Sequence, residues 1–168
     1  MASNVRQARN RRQFNATRAV IPFPPSVRTE WNIWHAAQIE AQNDRRVRFS
    51  RRLYAEYVQW LEEPGRRPAN ETEKAVKRHV LQSYVLINGA LNKRSLNART
   101  EYEFRKVLLP DDVFDVIKEA HLRTGHAGIQ STYRTVHETY WGATRVDVTW
   151  LLERCHVCTR RERRRTKR

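Results

Sequence analysis

The sequence predicts an α+β protein, mainly helical, in which an N-terminal helical segment and a small antiparallel hairpin sheet precede a second helical region. Three observations predict it. Apolar residues recur at helical spacing over much of 26–83 and 110–154, the period changes to a β-prone run at Tyr84, and prolines and glycines separate these stretches. At 168 residues and 20.1 kDa the chain suits one domain of ordinary size or two small ones, with little room for a large catalyst.

Pro22, Pro24 and Pro25 forbid a continuing helix, so residues 1–25 are expected to form a disordered basic arm. Residues 26–83 are the helical segment. Ser26 with Glu30 opens a helix through about Gln42, whose apolar members are Trp31, Trp34 and Ile39, and Phe49, Leu53, Tyr57, Val58 and Leu61 suit a second. Pro64-Gly65 ends that one, and Asn70 followed by Glu73 starts a third, capping-box-like, running to about Ser83. Residues 84–109 are the sheet: Tyr84 to Ile87, an Asn88-Gly89 turn pair that tolerates positive φ, a returning strand from Leu91, and a strand over Tyr102 to Leu109. Asp111 or Asp112 caps a helix running to His121, Gly125 and Gly128 break it, and further helices cover about Ile129 to Tyr140 and Arg145 to Arg154 around a turn at Trp141-Gly142.

The formal charge is +15 and the pI about 10.8, a balance that calls for a polyanionic partner, nucleic acid first. The excess sits at the ends. Residues 1–20 carry five arginines and no acid, and residues 159–168 carry six arginines, Lys167 and Glu162, which leaves only +4 for residues 21–158. The C-terminal cluster, Arg160, Arg161, Arg163, Arg164, Arg165, Lys167 and Arg168, is expected to be a disordered tail that contacts phosphates or directs nuclear import. Its alternative is a solvated tail that serves solubility. Arg45, Arg46, Arg48, Arg51 and Arg52 form a third cluster on what should be one helix, to be read equally as a phosphate-tracking face or a solvated one. The five tryptophans read as core more than as base-stacking platforms; Phe14 and Phe23, in or beside the arm, are the exceptions.

No apolar run reaches the length of a membrane helix, so an intracellular, nuclear protein with no membrane partner is expected. The two cysteines are too close to staple a fold. They do complete another set: His121, four residues, His126, twenty-eight residues, Cys155, two residues, Cys158. Two imidazoles and two thiolates match the softness of zinc and balance its charge. Positions five apart on one helix are offset by about 140° after a full turn, so both histidines can converge only if the helix ends between them, and Gly125 provides that end. The expected cofactor is one structural zinc ion clamping both ends of a segment too short to bury a good core alone. A set that binds no metal and a redox dithiol at Cys155 and Cys158 are the competing readings. A catalytic zinc is disfavoured, since four protein ligands leave no position for water. His156 sits between the knuckle cysteines and should point away; His35, His79 and His137 are read as non-ligands.

The run His121-Leu-Arg-Thr-Gly-His126-Ala-Gly128-Ile-Gln-Ser-Thr132-Tyr, then Tyr140-Trp141, Asp147-Val148 and Cys155-His-Val-Cys158, resembles the zinc-binding domain of integrases from Gypsy-type LTR retrotransposons. Gly142 stands where that family commonly has proline. Leu86 to Arg94 resembles the short hairpin preceding the domain, and Leu108-Leu109-Pro110 fits too; residues 1–65 carry no resemblance. The resemblance implies that His121, His126, Cys155 and Cys158 bind the metal within residues 110–158, a three-helix zinc-clamped domain followed by the basic tail at 159–168. In that family an RNase H-like core with three carboxylates follows. Here ten residues follow Cys158, and of five aspartates three crowd one helix start, so no catalytic residue is assigned and no enzyme is expected. The function read from the sequence is a non-catalytic module that binds DNA or RNA through its basic ends. The alternatives are a protein-interaction module, pairing with itself or with another integrase-like protein, and a truncated retroelement remnant.

Overall fold

The computed structural model describes residues 21–41, 47–96 and 102–165. The rest of the N-terminal arm, including Phe14, lies outside the described residues, as do Asp44, Arg45, Arg46, Lys167 and Arg168.

Eleven elements follow one another among the described residues: α1 (Pro25–Ala41), α2 (Arg51–Glu62), α3 (Glu71–Ser83), β1 (Tyr84–Ile87), β2 (Ala90–Leu96), β3 (Tyr102–Val107), α4 (Pro110–Arg123), α5 (Ile129–Thr139), β4 (Tyr140–Trp141), α6 (Arg145–Leu152) and α7 (His156–Arg165). The mainly helical α+β class is the one expected. Local chemistry sets most boundaries. Ser50 Oγ accepts from Leu53 N at 3.1 Å and starts α2, so Arg48 lies ahead of that helix and the third arginine cluster does not share one helix. Asn70 Oδ1 accepts from Glu73 N at 2.9 Å at the head of α3, while Glu73 Oε2 accepts from Ala69 N at 2.7 Å. Asn88 and Gly89 both take positive φ, 50° and 73°, which lets β1 fold back on β2 with Ile87 opposite Ala90.

Three expectations are corrected. Leu109, not Asp111 or Asp112, is the N-cap of α4; Pro110 takes the first helical position and the two aspartates sit in the first turn, where the helix dipole favours them. Tyr140-Trp141 is a strand rather than only a turn: β4 pairs parallel with β3, giving a four-stranded sheet of order β1-β2-β3-β4 in place of the two- or three-stranded hairpin sheet. The backbone past Cys158 continues as α7 to Arg165, where composition argued for a disordered tail.

The core is two clusters. One gathers Trp31, Phe114, Ile117, Val136, Val148 and Leu151 from α1, α4, α5 and α6. The other gathers Phe49, just ahead of α2, with Tyr57, Trp60, Val80, Leu91 and Val107 from α2, α3 and the sheet. Phe23 is buried in the first cluster, edge-on to Phe114, so the chain is already folded ahead of the boundary drawn at residue 25. Trp31 and Trp60 are fully buried; Trp34 and Trp150 stack at 5.0 Å between ring centres against the first cluster. None of the described helices is long and apolar enough to cross a membrane.

Candidate metal centre

Four segments converge at one end of the first cluster. His121 lies in the last turn of α4. Thr124 follows as C-cap, its hydroxyl donating to Ala120 O at 2.8 Å, and the helix is then broken by two left-handed residues, Gly125 at φ 66° and His126 at φ 63°. His126 N donates to His121 O at 2.9 Å, a tight return that turns the second imidazole back toward the first. On the other side α6 ends at Leu152, Cys155 N donates to Leu152 O at 3.0 Å, and α7 starts at once, so Cys155 and Cys158 lie one helical step apart.

The ligand atoms of His121, His126, Cys155 and Cys158 all lie within 4.8 Å of one another. His126 Nδ1 is 3.1 Å from His121 Nε2, Cys155 Sγ is 3.4 Å from His126 Nδ1, and Cys158 Sγ is 3.4 Å from His121 Nε2 and 3.8 Å from His126 Nδ1. A tetrahedral zinc ion with ordinary Zn–N and Zn–S bonds requires ligand–ligand edges of about 3.3–3.8 Å. Four of the six edges, at 3.1 to 3.8 Å, lie in or near that range, and the donor set is the one zinc prefers.

The surroundings orient and protect these donors. His121 Nδ1 is 3.0 Å from Ala127 O, which makes Nδ1 the protonated nitrogen and leaves Nε2 as the ligand atom. Thr132 Oγ1 donates to the same carbonyl at 3.2 Å and fixes its direction. Burial and the neighbouring His126 imidazole hold His121 below the usual histidine range, favouring the neutral form a metal needs. His121 and Cys155 are fully buried. The N-terminal segment completes the enclosure: Phe23 meets His121 edge-on at 6.0 Å, and Pro22 O accepts from His156 N at 2.9 Å.

His156 is exposed and not among the four. The other histidines are engaged elsewhere: His35 stacks on Trp31 at 4.8 Å, His79 meets Tyr84 edge-on, and His137 lies 2.7 Å from the Arg105 guanidinium. Among the described residues the four His and Cys side chains are the group that could hold a metal, and three aspartates have basic partners instead. Arg28 pairs with Asp115 at 2.7 Å, Arg51 with Asp111, and Arg48 with Asp147.

Residues 110–164 match the family described as the integrase zinc binding domain. The matched span begins at the first residue of α4 and ends within α7, and it contains all four donors. A comparison with curated proteins finds no match.

One functional placement differs from the expectation. Arg48 belongs to the cluster read equally as a phosphate-tracking or a solvated face, but it points inward: Nε donates to Asp147 Oδ1 at 3.0 Å and a terminal nitrogen to Thr144 Oγ1 at 3.0 Å. Asp147 is fully buried, its Oδ2 accepting from Thr144 N at 2.6 Å and from Thr144 Oγ1 at 2.7 Å. Thr144-x-x-Asp147 is thus a capping box closed by an arginine from another part of the chain, and the threonine–aspartate spacing was the available signal for half of it. Of the seven C-terminal cations, Arg160 is exposed on α7, and Arg161, Arg163, Arg164 and Arg165 are carried on the backbone of that helix.

Proposed function

We propose that the chain is a non-catalytic nucleic-acid-binding module, working as the N-terminal zinc region of a Gypsy-type retrotransposon integrase does, with one structural zinc held by His121, His126, Cys155 and Cys158. The observation that carries it is continuity. The helix bearing Arg160, Arg161, Arg163, Arg164 and Arg165 starts within the cysteine knuckle itself, so folding around the metal also sets the direction of a strongly cationic helix. Four protein donors fill a tetrahedral ion, which leaves no site for a metal-bound water and makes the metal's role the folding of this region.

Arginine and lysine on α7 and beyond would meet phosphates, giving affinity without base specificity and a steep salt dependence. The partner is DNA or RNA of the element, and the working compartment is the nucleus. In the test, Arg160, Arg161, Arg163, Arg164, Arg165, Lys167 and Arg168 are all replaced by Ala and duplex DNA affinity is measured against salt concentration. Alanine keeps helix propensity, so zinc content should stay at one per chain while the log–log slope flattens by several units. An unaltered slope overturns the assignment.

A second reading, association with another copy or with another integrase-like protein, is favoured by one observation. Ile33 on α1 and Val146 on α6 are 72% and 56% exposed, apolar side chains on two helices whose other faces build the zinc-side core.

A further inference from the structure

The helices α2, α3 and α5 pack on one face of the sheet, the face that carries Tyr84, Leu91, Arg105 and Val107. Alternation along β2 and β3 then assigns Asn92, Arg94, Phe104 and Lys106 to the opposite face. Asn92 is buried, but the part of this face around Phe104 and Lys106 is exposed, and an exposed sheet face is ordinarily polar. Here its centre is Phe104, 47% exposed, with Arg94 directly across on β2 and Lys106 two residues along β3. Ile87 extends the apolar area on β1, 39% exposed. No acidic side chain stands among the described residues of this face.

We propose that this face is a stacking platform for single-stranded nucleic acid, with a base on the Phe104 ring and the flanking phosphates on Arg94 and Lys106. The inference rests on the nucleic-acid reading above and adds to it a second surface with a different chemistry. A flat ring beside cations fits an unpaired base, whose π-face is free and whose backbone is anionic, better than a duplex, whose base faces are already stacked. Charge decides between occupants. Two cations flank the ring, so an apolar partner would have to bury both, whereas a nucleotide strand meets ring and charge together.

The test uses the full-length protein, a single strand of roughly 12 nucleotides carrying one 2-aminopurine, and three variants. With the wild type, 2-aminopurine emission should fall on binding as the base stacks. Phe104→Ala should weaken binding about tenfold and abolish the emission change, with the salt slope unchanged. Phe104→Trp should restore both, and Arg94→Ala should lower the slope by about one. The exposed position makes Phe104→Ala compatible with folding, which zinc content and thermal unfolding verify. If the wild type binds the strand with its usual salt slope but Phe104→Ala is neutral, the platform is overturned while the α7 reading stands. If neither duplex nor single strand binds at all, both fall. If Phe104→Ala instead turns a sedimenting dimer into a monomer and leaves 2-aminopurine emission unchanged, the face belongs to a second copy and the inference is overturned.

Discussion

The cluster around Trp31, Ile117 and Leu151 closes at one end over four side chains whose donor atoms gather at one point, whereas the cluster around Trp60, Tyr84 and Leu91 closes with apolar and aromatic side chains, Arg66 and Lys93 lying over the Trp60 and Tyr84 rings. In the second, Phe49 stands edge-on to Tyr57 and Tyr84, with ring centres 5.4 and 5.9 Å apart. Those contacts are short-range and add to burial in water as soon as the chain collapses. The first cluster is different in kind. Removing the metal would leave two thiols and two imidazoles crowded at about 3 to 4 Å in a buried corner, with desolvation to bear and no ion to offset it. One half of the molecule thus depends on its chemistry, the other on its packing.

The largest expected effect breaks the first half alone. Cys155→Ser removes a buried thiolate, and a structural zinc contributes on the order of 10 kcal/mol to the folding of such a region. Zinc should fall from one per chain to none by native mass spectrometry. Amide hydrogen exchange should lose protection over α4 to α7 while β1 and β2 keep theirs. Equal loss in both halves would show that the two clusters fold as one unit, and retained protection with no zinc would show that packing suffices.

The next variant tests what joins the halves. Arg48 lies beside Phe49 of the aromatic cluster and reaches Asp147 in α6 of the zinc-side cluster. Asp147→Ala would leave the Arg48 guanidinium, only 11% exposed, without its carboxylate and would also remove the carboxylate half of the α6 capping box, while Thr144 still caps the helix. A cost of about 3–5 kcal/mol is expected in chemical denaturation, with zinc still bound. A cost below about 1 kcal/mol would mean that the pair is solvated in solution and that other contacts, the β3–β4 pairing and the Arg105–His137 and Arg51–Asp111 pairs among them, link the clusters.

Much of this arrangement was legible because it is local. The four donors announce themselves by residue type and spacing, Gly125 by its position between two histidines, Asn70 by the glutamate three residues on, and Asn88-Gly89 by turn chemistry. What stayed hidden is long-range or too short to carry a period. Two residues cannot show alternation, so β4 read as a turn until β3 was found beside it. Arg48 and Asp147 are separated by 99 positions, and nothing at either site names the other. Phe23 reads as part of the arm because it sits among the prolines that mark its end, yet its neighbours in space are Phe114 and His121. Helix α7 is hidden for a related reason: its composition argues for self-repulsion, while its first turn is held by Cys155 and Cys158, so the anchor lies outside the cationic run itself.

The smallest effect sharpens the contrast from the packing side. Asn70 caps α3 through its contact with Glu73 N, at an exposed site far from the metal ligands in sequence. Asn70→Ala should cost about 1 kcal/mol, the usual loss for one N-cap. Because α3 contributes Val80 to the aromatic cluster and nothing to the metal-side one, the loss should appear as faster exchange over α2, α3 and β1, with zinc affinity unchanged. If zinc affinity falls as well, strain at the head of α3 is reaching the four ligands through Trp141, which packs on the aromatic cluster while its carbonyl accepts from Leu108 N at 2.8 Å. That outcome would make β4 a coupling element between the halves, and the separation of a chemical half from a packed half would hold for their energetics only at the ligands themselves.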